Sequence, residues 1–165
     1  MPPHLLIITG DMGAGKTTWC RNFIDHIRAQ GHAVSGLLSP ALFANGTKTG
    51  IALLDLSTGE QRQLARLRTA DSDPAGIATR RWSFDSDVLA WGDSILRTMP
   101  PTHLLVIDEL GPLELEQGAG WLSALSLLDS GTQYAMACVV IRPSLVPVAL
   151  ARWPHAVVFT VEGEA

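Results

Sequence analysis

The chain has 165 residues, enough for one domain (residues 1–165) with a real core, and it is 47% hydrophobic against 17% charged. A formal net charge of −4 argues against a dedicated binder of nucleic-acid backbones, and no apolar run approaches the roughly 18 residues of a membrane span. Two cysteines, Cys20 and Cys138, make no disulfide framework and read as small core residues, while the five histidines lack metal-ligand spacing.

His4-Leu5-Leu6-Ile7-Ile8-Thr9 predicts a short buried strand. Its flank is not basic and its apolar run stops at Gly10, so no signal peptide is read and a reduced, cytoplasmic protein is expected. The next nine residues, Gly10-Asp11-Met12-Gly13-Ala14-Gly15-Lys16-Thr17-Thr18, fit G-x-x-x-x-G-K-[ST], the loop that wraps backbone N–H groups around nucleotide phosphates. Its glycines allow backbone conformations that a Cβ resists and a close approach to an anion. Lys16 is expected to reach the β- and γ-phosphates, and the Thr17 hydroxyl to ligate Mg²⁺. Lys16 to Gln30 predicts the helix leaving the loop, with Cys20, Phe23, Ile24 and Ile27 on one face and Gly31 as its stop. Strand, loop and helix in that order are the context the motif requires.

Ala33 to Leu38 predicts a second strand. A hairpin turns at Asn45-Gly46, with Thr49 to Leu56 as its return strand and a further turn at Ser57 to Glu60. The sequon Asn45-Gly46-Thr47 is read as that turn rather than a glycosylation site. This β-rich insert forms a flap beside the site. Residues 68 to 78 read as a mobile loop. Around it lies a local cluster of cations, Arg62, Arg66, Arg68, Arg80 and Arg81, and two aromatics, Trp82 and Phe84, read as core packing or a stack for a base. Asp85 to Met99 predicts a helix with Val88, Trp91, Ile95 and Met99 facing inward, ended by Pro100-Pro101. Leu104 to Ile107 is a central strand, and Gln117 to Leu128 a helix. Tyr134 to Ile141 is a buried strand, Pro143 opens a helix ending near Trp153, and Ala156 to Val161 is the last strand. Alternating strands and helices predict a doubly wound α/β sheet, mostly parallel, with the β-hairpin inserted after the second strand.

Asp108 and Glu109 end the hydrophobic strand at the sheet edge where open α/β folds bind ligands. Asp108 is the candidate to hold Mg²⁺. Glu109 is the candidate base that orients or deprotonates the attacking water. A further cation at the γ-phosphate would help neutralise charge, and Arg142 is the first candidate, with Arg80 and Arg81 behind it.

With these residues in view, the chain resembles the small P-loop nucleoside-triphosphatases of the cancer-related and thermophile type. The resemblance is carried by Gly10 to Thr18, Ser35-Gly36-Leu37-Leu38-Ser39-Pro40, the Gly50 to Glu60 return strand, and Val106-Ile107-Asp108-Glu109-Leu110-Gly111-Pro112-Leu113-Glu114-Leu115. It implies a RecA-like sheet and Mg²⁺-dependent hydrolysis of several nucleoside triphosphates, such as ATP and GTP, to diphosphate and phosphate. It also adds Glu114 to the candidate site. One departure stands out: that family has polar Thr and His before the basic residue, where this chain reads Val139-Val140-Ile141-Arg142-Pro143. The change bears on hydrolysis rate more than on nucleotide binding. Two other readings remain open, a nucleotide or small-molecule kinase and a nucleotide-gated module that serves a protein partner.

Overall fold

Continuous apolar runs become the buried strands of one sheet. The computed structural model describes residues 3–68, 77–78 and 82–163. The first half of the chain gives β1 (His4–Thr9), α1 (Lys16–Ala29), β2 (Val34–Leu38), β3 (Ala41–Ala44), β4 (Thr47–Asp55), β5 (Gln61–Leu67), β6 (Ile77–Ala78) and β7 (Trp82–Phe84). The second half gives α2 (Ser86–Thr98), β8 (Thr102–Leu110), α3 (Pro112–Leu115), α4 (Leu122–Ser130), β9 (Tyr134–Ile141), a 3-10 turn (Pro143–Leu145), α5 (Val146–Arg152) and β10 (Val157–Thr160). The arginines Arg80 and Arg81, and most of the loop read over residues 68 to 78, lie outside the described residues.

The strand order is β10-β1-β9-β8-β2-β4-β5-β7-β6, with β3 paired to β4. From β10 to β2 every pairing is parallel, and from β2 outward the sheet continues antiparallel. The sequence hairpin is thus the start of a longer antiparallel extension. Its turn uses positive φ at Asn45 (51°) and Gly46 (77°), the pair of left-handed residues that a tight hairpin requires.

Alternation along each parallel strand divides the core in two. Leu5, Ile7, Leu105, Ile107, Ala137 and Val139 face the layer of α2, α4 and α5. Ile8, Leu104, Val106, Cys138 and Val140 face α1 through Cys20, Ile24 and Ile27. Both faces are covered, which is why these strands read as unbroken apolar runs. The two cysteines are free and buried, as expected of core residues. Burial pushes the Cys138 thiol up to about 12 and the Cys20 thiol further still, so both stay protonated and inert.

Two local expectations shift. The helix read over Gln117 to Leu128 begins only at Leu122. Gly118 (φ 63°) and Gly120 (φ 72°) hold left-handed turns that end the regular pattern before it starts. A short helix, α3, forms upstream where Pro112 fits the first helical position. In α2 the most buried stripe is Val88, Gly92 and Leu96, while Trp91, Ile95 and Met99 pack at its margin. Gly92 carries this shift, because its missing side chain lets the Trp121 indole and Leu53 approach the helix.

Candidate functional site

The parallel half of the sheet delivers the candidate residues to one edge. β1 ends at Thr9 and runs into the glycine loop; β8 ends with Asp108 and Glu109; β9, lying between them, ends at Ile141 and hands over to Arg142. In the loop, Gly13 (φ 78°) and Gly15 (φ 96°) take left-handed conformations, and Gly15 is the residue from which α1 starts. No side chain caps that helix start. Its free N–H groups and the positive end of the helix dipole therefore face the loop's concavity, a ready site for phosphate.

The Lys16 ammonium donates to the carbonyls of Gly10 (2.6 Å) and Asp11 (3.1 Å), arching over the loop. The Thr17 hydroxyl donates to Asp108 Oδ2 at 2.9 Å, joining residues 91 positions apart in the chain. Ser39, just past the end of β2, adds its backbone N–H to the same carboxylate oxygen at 3.1 Å and its hydroxyl to the Asp108 carbonyl. Asp108 is buried, and desolvation pushes its carboxyl up to about 6 against the stabilising hydrogen bonds from Ser39 and Thr17. A small divalent cation fits here, because it would hold ionised a carboxylate that burial disfavours. A carboxylate and a hydroxyl are the protein share that Mg²⁺ takes when phosphates and water supply the rest.

Glu109, the next residue in the chain, lines the same cavity as Asp108 and is partly exposed. Its Oε1 pairs with Arg142 at 3.3 Å. The candidate base and the candidate cation therefore meet each other. Glu114, which entered through resemblance, is buried: Oε1 accepts from the Gly111 N–H and Oε2 from the Trp121 N–H, both at 3.0 Å. Its carboxyl is raised by burial and pulled back by these backbone donors. Glu114 ties the segment after β8 to the start of α4 and so fixes the backbone beyond Glu109. The Trp121 indole in turn donates to the Leu89 carbonyl at 3.1 Å, which fastens α2 to the same segment.

A cavity of about 410 Å³ joins these residues. Gly13, Gly15, Lys16, Thr17 and Thr18 of the phosphate loop and helix start line it together with Asp108, Glu109, Glu114 and Arg142. Asp11 and Ala14 line instead a second hollow, with Gly10 and the chain after β10, and Met12 and Gly13 border both. Phe84 lines the main cavity and packs on the core. Trp82 carries Lys48 over its ring at 5.2 Å. Sequence reasoning missed Ser39 and Lys48 as site residues. Ser39 was open to discovery from its place just past a strand parallel to β8, whereas Lys48 reaches the cavity only through the antiparallel extension.

A family model described as NTPase matches residues 5–145. The chain belongs to this family. Among curated relatives, the nucleoside-triphosphatase THEP1 of Methanopyrus kandleri is 30% identical over 118 residues, which is 71% of this chain and 63% of the relative. The matched stretch thus spans less than two thirds of that relative's length. Two solved structures share the fold. The solution structure of a human cancer-related nucleoside triphosphatase has a TM-score of 0.70 at 19% identity, covering 96% of this chain and 88% of that one. The crystal structure of THEP1 from Aquifex aeolicus has a TM-score of 0.63 at 16% identity, with the same coverage. A P-loop α/β sheet is what this NTPase chain and those structures have in common.

Proposed function

We propose that this protein is a single-domain enzyme that hydrolyses nucleoside 5′-triphosphates to diphosphate and phosphate with Mg²⁺ as cofactor. The observation that carries the reading is the 2.9 Å contact of Thr17 and Asp108, with Lys16 beside it and Glu109 one residue on. Broad base tolerance is supported by the relatives' name, which specifies nucleoside triphosphates and no one base. A cytoplasmic setting is favoured by two free, buried thiols. Among the described residues no helix is long and apolar enough to cross a membrane.

The loop N–H groups and Lys16 bind and orient the triphosphate. Thr17 and Asp108 would hold Mg²⁺, whose charge would help neutralise the triphosphate. A water oxygen then bonds to the γ-phosphorus while the bond from that phosphorus to the bridging oxygen breaks. The diphosphate leaves with that oxygen, and the water's proton passes to the Glu109 carboxylate. Arg142, paired with Glu109 in the free protein, is positioned to turn to the γ-phosphate and release the base. Phosphate release from ATP, GTP, CTP and UTP with Mg²⁺ tests this reading. Glu109→Gln is expected to keep nucleotide binding and lose at least about a hundredfold in turnover, the low end for a general base. Wild-type turnover in that variant removes Glu109 from the role.

One observation favours a second reading. The cavity has an apolar wall of Ile51, Phe84, Leu89 and Trp121, which a water nucleophile does not need. A phosphoryl acceptor would use it. Label moving from the γ-position to an added nucleoside or sugar, with little free phosphate, would replace hydrolysis by kinase chemistry.

A further inference from the structure

An aromatic cluster sits at the outer edge of the sheet beside the phosphate loop. Trp19 lies in the first turn of α1, directly after Thr18, and is half-buried. Its ring is 5.2 Å from that of Phe23 and 5.3 Å from that of Phe159, both tilted by about a third of a right angle. Phe159 is 45% exposed, so part of its ring is open to a planar partner. It belongs to β10, an edge strand whose four residues are all exposed, and it is paired in register with Ile8, two residues before Gly10. The cluster is therefore at the strand end where the phosphate loop begins.

Helix geometry brings it closer still. Every helical side chain leans toward the N-terminus of its helix, so Trp19 leans toward the end of α1 that is built to receive phosphate. The chain after β10 follows the loop on this side: the Val161 N–H donates to the Thr9 carbonyl at 2.7 Å, and Gly163 comes against Ala14. The carboxylates Asp108 and Glu109 mark the γ end of a bound triphosphate on the β8 side of the loop. The nucleoside end must leave away from them, and β10 flanks β1 on the side opposite β9 and β8.

We propose that Trp19 and Phe159 form the platform on which the nucleobase stacks. This rests on the P-loop reading given above and adds to it the place of the base. Every base has a π-face, and stacking takes no account of which hydrogen-bonding edge the base carries. A platform of this kind gives affinity without base choice, which is the chemistry that a general nucleoside-triphosphatase needs.

Equilibrium calorimetry with ADP and with inorganic pyrophosphate, each with Mg²⁺, tests the platform independently of turnover. The wild type is expected to bind ADP more tightly than pyrophosphate. Trp19→Ala lowers ADP affinity about five- to hundredfold, the range of a lost base–aromatic stack, and shifts pyrophosphate affinity far less. Trp19→Phe restores most of the loss, and Phe159→Ala reproduces part of it. GDP behaves as ADP does. Equal losses for ADP and pyrophosphate in Trp19→Ala overturn the proposal, since they mark a structural role. So does an unchanged ADP affinity together with a loss in Phe84→Ala, which moves the base to the apolar wall of the main cavity. An unchanged ADP affinity accompanied by loss of a dimer in sedimentation assigns the face to a second copy of the chain. Failure of the wild type to bind either ligand overturns both this proposal and the P-loop reading, whereas binding without phosphate release removes only the hydrolase.

Discussion

The parallel half of the sheet and its antiparallel extension are built on different rules. In β1, β2, β8 and β9 nearly every side chain is buried on one face or the other, and their C-terminal ends present the glycine loop, Ser39, Asp108, Glu109 and Arg142. In β3 and β5 most positions are exposed, and the cations Arg62 and Arg66 stand on β5. Among the described residues, the extension gives the cavity Lys48, Ile51 and Phe84. The candidate catalytic groups therefore lie in the parallel half, where buried strands hold their ends in register. The extension supplies part of the cavity's wall.

The largest test of that division is a pair of lysines. Lys16→Ala removes the ammonium that arches over the loop, and nucleotide affinity is expected to fall at least tenfold to a hundredfold, the worth of a charged hydrogen bond or more. Lys48→Ala, on the extension, is expected to change it by less than about threefold. Titration with ADP and Mg²⁺ measures both. Equal losses would place phosphate binding in the extension too and break the comparison.

Stability sharpens the same contrast. Ile107 is fully buried in β8, so Ile107→Ala is expected to cost about 2–5 kcal/mol through lost transfer energy and a residual cavity. Gly46→Ala, at the extension's hairpin turn, forces a Cβ into a left-handed conformation and costs about 1–2 kcal/mol. Urea midpoints of the two variants compare them directly, with an unchanged ADP affinity expected for Gly46→Ala.

The two halves also differed in how far their sequence could be read. Strands β1, β8 and β9 are legible because burial on both faces leaves them unbroken apolar runs, and the loop is legible because phosphate binding dictates glycine and lysine at fixed spacing. The order in which those strands lie side by side is not written in any one of them. That β9 lies between β1 and β8, and so puts Arg142 against Glu109, emerges only on folding. Gln117 to Leu128 has a helical pattern of apolar residues, yet two left-handed glycines cut it back, because Glu114 needs the Trp121 N–H. Lys48 carries no local signal at all. Its place follows from the antiparallel register of β3 and β4, which depends on where the hairpin turns.

The smallest expected effect concerns what ties each half together at its surface. In the parallel half, Asp129 at the end of α4 accepts from the Arg152 guanidinium of α5 at 3.0 and 2.6 Å and from the Trp153 indole at 2.9 Å. In the extension, the Arg62–Glu60 ion pair spans only two residues, and Arg62 meets α2 through the face of Trp91 at 4.1 Å rather than through a carboxylate. The hydrogen bonds from Arg152 hold the Asp129 carboxyl below its ordinary range against the upward push of burial, with a lesser contribution from the Trp153 indole. A depressed folded-state value means that the stabilisation is complete above the unfolded carboxyl's pKa near 4 and is lost as pH falls through the lower folded value. Both partners are more than a third exposed, so solvent screening limits the gain to at most about 1 kcal/mol. Asp129→Asn is expected to lower the urea midpoint slightly at pH 7, with the difference shrinking as pH falls below about 4, while Glu60→Gln leaves it unchanged throughout. A loss for Asp129→Asn that persists undiminished in acid would mean that the carboxyl's charge is irrelevant there. The link between α4 and α5 would then rest on the Trp153 hydrogen bond and on packing alone.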